Sequence, residues 1–393
     1  MSKKFEVNFK EKRVLIILHT GILGGAERQG LGLCKILTEK YQCRVYLLLT
    51  FSDSTTREFD EFAEQCHVRE IFFFGKPYLL FKRELSTKNL KRFVWSAKYL
   101  LRMRKGLLPY KIDFIFPFLN FPSKIAFYLY KLLPTAKFTF WHQLGLDSFS
   151  KDWFESVAAR YSPAVIANSE TGLELFRNVY RLEKSRAFIL PQYVSLELTH
   201  HNNAQVREKF GFNNDDILIG MVAHYRPDKL HFLLLNAFQG LTDNYSEVRL
   251  LFLGNRNANK RTSQKFYQIQ QAIDDKELSK RVSLMSGQAV DTILSILDIG
   301  VLVSEIEGLP NSVMEYMLYG LPVVATNHPG CKDLLGQSEF LVENDLEQVK
   351  SALSKLIASQ ELRTQEGEKN KLLIKKFTAD EYLMKFEKIV DAI

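Results

Sequence analysis

Short, continuously apolar runs alternate with helix-period segments in two successive series, and this alternation narrows the possible folds most. In the first half, residues 14–19, 44–50, 70–74, 113–116, 138–141, 164–167 and 187–190 read as strands. They are too short for helices and too uniformly apolar for half-exposed strands, so they belong to a parallel sheet covered on both faces. Helical patterns at 26–38, 153–161 and 173–179 fill the gaps, as crossovers between parallel strands require. A polar stretch, Thr199-His200-His201-Asn202-Asn203-Ala204, reads as a linker. Beyond it, strands are expected at 217–223, 249–253, 282–285, 299–303 and 323–326. A chain of 393 residues suits two domains of this kind. The expected fold is α/β: two tandem Rossmann-like doubly wound domains, with a cleft between the carboxyl ends of their sheets. The expected boundaries are 1–198, 199–375 and a terminal segment, 376–393, whose helix packs back toward the first domain.

Composition removes several function classes. There is no uninterrupted apolar run of about 18 residues, so no membrane-spanning helix is expected. Met1-Ser2-Lys3-Lys4-Phe5-Glu6 lacks a signal-peptide core. Cys34, Cys43, Cys66 and Cys331 show no CxxC spacing and no partner histidines, which supports neither a zinc site nor a disulfide framework. These features suit a reduced, cytoplasmic protein. The net charge of +8 is local: residues 76–111 hold eleven Lys/Arg and one acid, Glu84, leaving the rest of the chain at −2. That argues against a nucleic-acid-coated surface.

The chemistry concentrates in Ser304-Glu305-Ile306-Glu307-Gly308-Leu309-Pro310-Asn311-Ser312-Val313-Met314-Glu315. A strand ends near Val303, Glu307 to Pro310 form its exit loop, and a helix follows until Gly320 and Pro322 stop it. A helix N-terminus presents unpaired N–H groups and partial positive charge, which suit a phosphate. Glu307 and Glu315 would repel a phosphate, so they should face hydroxyls. A nucleotide-sugar satisfies both demands. Ser312-Val313-Met314-Glu315 is also a capping-box pattern, in which Glu315 serves only its helix.

Three further loops follow strands. In His224-Tyr225-Arg226-Pro227-Asp228-Lys229, Arg226 can grip a phosphate with two bonds and Lys229 adds a point charge; a solvated surface pair is the alternative. In Gly21-Ile22-Leu23-Gly24-Gly25-Ala26-Glu27-Arg28 the glycines allow a close backbone approach to a ligand. The spacing is not that of a dinucleotide fingerprint, although Asp53 after the second strand keeps an NAD reading open. His142, in Phe140-Trp141-His142-Gln143, is either a sugar ligand or a satisfied structural histidine.

The Glu307-to-Glu315 segment resembles the Glu-(seven residues)-Glu signature of the family 4 glycosyltransferases, retaining enzymes of the GT-B fold (glycosyl transferases group 1). Gly-Gly-Ala-Glu-Arg at 24–28 and the Arg226/Lys229 loop are similar to that family's glycine and phosphate loops. The resemblance implies that Glu307 contacts hydroxyls of the donor sugar and Glu315 accepts from the ribose. Lys229 and Arg226 would hold the diphosphate, and Asn311 and Ser312 would offer it N–H groups beside Leu309 and Pro310. Gly24 and Gly25 would border donor and acceptor, with His142 near the donor sugar. Departures occur where the family carries Arg (here His224), Pro-Asn-Gly-Val-Asp (here Pro191-Gln192-Tyr193-Val194-Ser195) and Gly-Gly (here Gly330-Cys331).

The expected activity is therefore metal-independent, retaining transfer of a hexose, with no cofactor, from a nucleoside diphosphate sugar. The expected acceptor is a hydroxyl of a lipid-linked glycan, as in the synthesis of cell-surface polysaccharides such as lipopolysaccharide. Alternatives are a nucleotide-sugar epimerase of the same fold and a catalytically degenerate membrane-binding relative. Within the basic segment, Leu90, Phe93, Val94, Ala97 and Leu101 form an apolar stripe expected to face the core. Lys88, Lys91, Arg92, Trp95, Lys98, Arg102 and Lys105 form an acid-free opposite face suited to an anionic membrane surface, which places the protein peripherally on the inner face of the plasma membrane.

Overall fold

A computed structural model describes residues 9–75, 78–82, 86–145, 149–256 and 260–393. Residues 1–6 of the N-terminal reading, and Lys76, Arg83 and Glu84 of the basic segment, lie outside the described residues. The chain divides into two compact units, Met1–Ser195 with Ala379–Ile393, and Leu196–Thr378. These divisions fall three residues from the expected 198/199 and 375/376.

The first unit carries β1 (Arg13–Leu18), β2 (Arg44–Leu49), β3 (Ile71–Phe73), β4 (Phe114–Pro117), β5 (Trp141–Gln143), β6 (Val165–Ala167) and β7 (Ala187–Ile189). A parallel sheet runs β3-β2-β1-β4, and a second runs β5-β6-β7. A single bridge, Phe114 to Phe138, links β4 to the segment before β5. The apolar runs are explained by double burial. In β1, Val14, Ile16 and Leu18 enter one core and Leu15 and Ile17 enter the other. The strand expected at 138–141 forms three residues later, so that the polar His142 and Gln143 are strand residues and buried. The terminal helix, Ala379–Asp391, joins the first core through Phe386, whose ring lies 5.1 Å from Phe116 and 5.7 Å from Phe140.

The helix Thr87–Leu107 corrects one expectation. Its core side is Asn89, Ser96, Tyr99, Leu100, Met103 and Leu107. Leu90, Phe93, Val94 and Leu101 are exposed, with Leu90 at 64% and Trp95 at 62%. The polar core residues have work to do. Leu80 donates its N–H to Ser96 Oγ at 3.2 Å, and Lys82 donates to Asn89 Oδ1 at 3.0 Å. Satisfying this part-buried loop backbone outweighs hydrophobic count on that face, and the expected core stripe is turned to solvent.

The second unit is one parallel sheet of β8 (Ile217–Val222), β9 (Val248–Leu253), β10 (Val282–Met285), β11 (Ile299–Leu302), β12 (Val323–Thr326) and β13 (Leu341–Val342), in the order β10-β9-β8-β11-β12-β13. The order reverses between β8 and β11, and doubly wound sheets bind ligands at the carboxyl ends beside such a reversal. The expected linker is ordered at its start, where Thr199 Oγ1 donates to Asp291 at 2.9 Å and His201 Nε2 lies 3.1 Å from the same oxygen.

Candidate active site

The loops leaving β8 and β11 are joined at this reversal. Lys229 and Ser304 form an antiparallel bridge, Leu230 donates to the Val303 carbonyl at 3.0 Å, and Glu305 donates to Asp228 at 2.9 Å. These backbone bonds place Lys229 Nζ against Glu307 Oε1 in an ion pair. The side chains are only 14% and 9% exposed, so the pair is much less screened than a surface one. His231 supports Lys229 from below. Its Nδ1 donates to the Lys229 carbonyl at 3.0 Å, and burial holds the ring down at about 4, hence neutral. Arg226 sits on the same loop, exposed, with its Nε 2.8 Å from Asp228 Oδ1.

Residues from the neighbouring strand ends fix the β11 exit. Ser304 donates its N–H to Thr326 Oγ1 at 3.0 Å, and its carbonyl accepts from His328 Nε2 at 2.9 Å and Asn344 Nδ2 at 2.8 Å. The sequence reading did not single out Thr326, His328, Asn344 or His231. The available signal was polar residues clustered just after an apolar strand, as in Thr326-Asn327-His328.

The helix Asn311–Leu318 begins after Pro310, with no side-chain cap. Ser312 is therefore its second residue rather than its cap, so a capping box between Ser312 and Glu315 does not form. Glu315 is the fifth helical residue and is buried. The helix is pinned across both central strands by Tyr316, whose hydroxyl accepts from the Val222 N–H at 2.6 Å and donates to the Val301 carbonyl at 3.2 Å. Leu309 and Pro310 are the buried end of the exit loop. A Cβ on Gly330 would lie 1.4 Å from the Gly308 carbonyl oxygen, so Gly330 lets the helix Pro329–Leu335 abut that loop.

The structure thus gathers Lys229, Glu307, Leu309, Pro310, Asn311, Ser312 and Glu315 on joined or contiguous segments, with Arg226 turned to Asp228. His142, Gly24 and Gly25 belong to the first unit. His142 is buried, its Nδ1 is 2.9 Å from the Pro117 carbonyl, and burial lowers it to about 4. Gly24 precedes the helix Gly25–Tyr41. Behind it, buried Glu27 accepts from the Thr20 hydroxyl at 3.3 Å, and burial raises its carboxyl. Among the described residues, no group of three or more His, Cys, Asp or Glu side chains is placed to hold a metal ion.

Residues 202–373 match the model of the family described as glycosyl transferases group 1. An uncharacterized glycosyltransferase of Haemophilus influenzae is 36% identical over 91 residues, covering 22% of this chain and 26% of that protein. One from Methanocaldococcus jannaschii is 20% identical over 210 residues, covering 51% and 50%. The chain thus spans half or less of the length of these curated relatives. The crystal structure of Anabaena HepE in complex with UDP-glucose is similar at a TM-score of 0.75 and 18% identity, covering 96% of this chain and 98% of that one. The fold is that of the GT-B glycosyltransferases.

Proposed function

We propose that this protein is a retaining, metal-independent glycosyltransferase of family 4. It transfers a sugar from a nucleoside diphosphate donor to a hydroxyl of a lipid-linked, cell-surface glycan. The observation that carries the reading is the sheltered Lys229–Glu307 pair at the sheet's reversal, inside the segment that matches group 1 glycosyltransferases. Without donor, each charge compensates the other. With donor, Lys229 turns to the diphosphate, and Glu307 is released to accept from sugar hydroxyls. Asn311 and Ser312 offer first-turn N–H groups to phosphate oxygens, Arg226 exchanges Asp228 for a phosphate, and Glu315 takes the ribose. That the similar HepE structure holds UDP-glucose supports this class of donor.

In transfer, the bond from the anomeric carbon to the phosphate oxygen breaks and a bond to the acceptor oxygen forms on the same face. The acceptor proton goes to the departing phosphate oxygen, whose growing charge Lys229 and Arg226 stabilise. His142, enclosed against the Pro117 carbonyl, is a positioning residue for the turn after β4. The helix Thr87–Leu107 holds the enzyme at the anionic inner face of a membrane, beside a lipid-linked acceptor.

A melting-temperature panel of UDP-, GDP- and ADP-sugars tests the donor, because a ligand that binds only the folded state raises its melting temperature. One nucleotide series should stabilise the wild type, and Glu315→Ala should lose most of that shift while keeping its fold. If no nucleoside diphosphate sugar stabilises the protein, or if Glu315→Ala responds like wild type, the reading fails.

A further inference from the structure

The carboxyl edge of the first unit carries a group of rings that this mechanism does not use. Its strand order reverses between β1 and β4, and His19 follows β1, Phe51 follows β2 and Phe121 follows β4. Phe51 lies 4.4 Å from the His19 ring and 4.8 Å, edge-on, from Phe121. Phe51 is nevertheless 51% exposed. It is not a loose surface ring, since its N–H donates to the His19 carbonyl at 2.8 Å and Thr50 Oγ1 bonds the Leu18 and His19 carbonyls at 3.2 Å. The loops after β1 and β2 interlock around it. Gly21 donates to Ser52 Oγ at 2.8 Å, and a Cβ on Gly21 would meet the Ser54 carbonyl at 2.4 Å. On the β4 side, Leu119 adopts φ +79, ψ 168, a region almost confined to glycine. Such strain persists where surrounding structure imposes it and clusters at functional sites.

The chemistry around Phe51 is mixed. It is the one apolar residue in Thr50-Phe51-Ser52-Asp53-Ser54-Thr55-Thr56, among hydroxyls and a carboxylate. An alkyl chain would want continuous apolar lining. A sugar ring offers C–H groups on one face for an aromatic ring and hydroxyls at its rim for polar neighbours. We propose that Phe51, seated on His19 and Phe121, is the stacking platform for a pyranose ring of the acceptor, with Asp53 and Ser54 taking its hydroxyls. This rests on the glycosyl-transfer reading and adds which side chains of the first unit hold a sugar ring of the acceptor glycan.

Octyl β-D-glucopyranoside below its micelle-forming concentration is a suitable probe, because it carries both a sugar ring and an alkyl tail. Saturation-transfer NMR with the full chain should place signal on ring protons H1, H3 and H5, which share one face. Phe51→Ala should weaken that signal about tenfold, and Phe51→Trp should keep it. The melting shift with nucleoside diphosphate sugars should be the same in all three proteins. Unchanged ring signal in Phe51→Ala, signal concentrated on the octyl chain, or no signal in wild type would overturn the platform. If Phe51→Ala is unfolded, Phe51→Leu decides: it keeps apolar volume without the ring, so retained signal refutes and lost signal supports. Ring signal without any nucleotide-sugar shift would sink the transferase reading and leave a saccharide site.

Discussion

A methyl group on Gly330 would land 1.4 Å from the Gly308 carbonyl oxygen, and Gly308 immediately follows Glu307. Backbone cannot yield as a flexible side chain does, so Gly330→Ala should push the exit loop away from Lys229. Overpacking of this kind costs about 1–3 kcal/mol. The larger consequence should be loss of donor-induced stabilisation in the melting panel; full retention would show that the loop position does not matter. His142 and His231 give a second residue-scale prediction. Burial lowers both to about 4 from 6.5, so between those values the unfolded chain binds more protons than the native one. Their stabilising contribution is complete above pH 6.5 and declines as pH falls toward 4. Each accounts for about 3 kcal/mol at the acid end. Melting temperature should therefore drop steeply through that window, and less steeply in His142→Asn or His231→Asn. Parallel curves for wild type and both variants would contradict it.

At the scale of elements, the helix Thr87–Leu107 shows what the sequence conceals. Apolar residues at 90, 93, 94, 97 and 101 mark one stripe correctly but do not say which side the stripe faces. That was decided by Asn89 and Ser96, which bond the chain at Lys82 and Leu80 and read in sequence as ordinary surface residues. The outward face now combines Leu90, Phe93, Val94, Trp95 and Leu101 with Lys88, Lys91, Lys98 and Arg102. Attraction to anionic lipid should accordingly have two parts. The cationic part contributes on the order of 1 kcal/mol per residue near the surface and fades with salt. The apolar part scales with inserted area and does not. Cosedimentation with phosphatidylglycerol vesicles should fall but persist as salt is raised. Leu90→Ser with Trp95→Ser should remove the persistent fraction, while Lys91→Glu with Lys98→Glu removes the salt-sensitive one. Equal sedimentation of wild type and both double variants would sink the docking surface. The site's legibility was similarly divided. Glu307 and Lys229 stood out by strand-exit position and Glu315 by its place on the helix that follows, whereas the contact between Lys229 and Glu307 spans 78 residues and no local spacing encodes it. Thr326, His328 and Asn344 hold Ser304 from the ends of β12 and β13, and locally they show only as polar residues after an apolar strand.

At the scale of the whole molecule, both units share one local order, β3-β2-β1-β4 in the first and β10-β9-β8-β11 in the second. Continuous apolar strands with helical crossovers imply the parallel, doubly covered sheets, because each such strand needs cover on two faces, but not the order of the strands. Two details lay below the resolution of such patterns. The two-residue β13 is too short to have a period, and β5 is built partly from buried polar residues. Under the proposed mechanism, the arrangement supplies fixed positive charge without an ion. Lys229, Arg226 and roughly half a charge at the N-terminus of the helix Asn311–Leu318 gather along the carboxyl edge at the second unit's reversal. Glu307 and Asp228 neutralise the two side chains, so the site costs little to hold together. On the proposed mechanism, a diphosphate that displaces these carboxylates meets cations already oriented, and the charge that grows on the leaving group is to be met without a further counter-ion. Turnover with the identified donor and an acceptor glycan should therefore be unchanged in excess EDTA. Lys229→Ala should abolish it, and added magnesium should not rescue that variant. Loss of activity on chelation that magnesium or manganese restores would show that the protein's own cations are insufficient, and would overturn the metal-independent mechanism while leaving the fold and donor class standing.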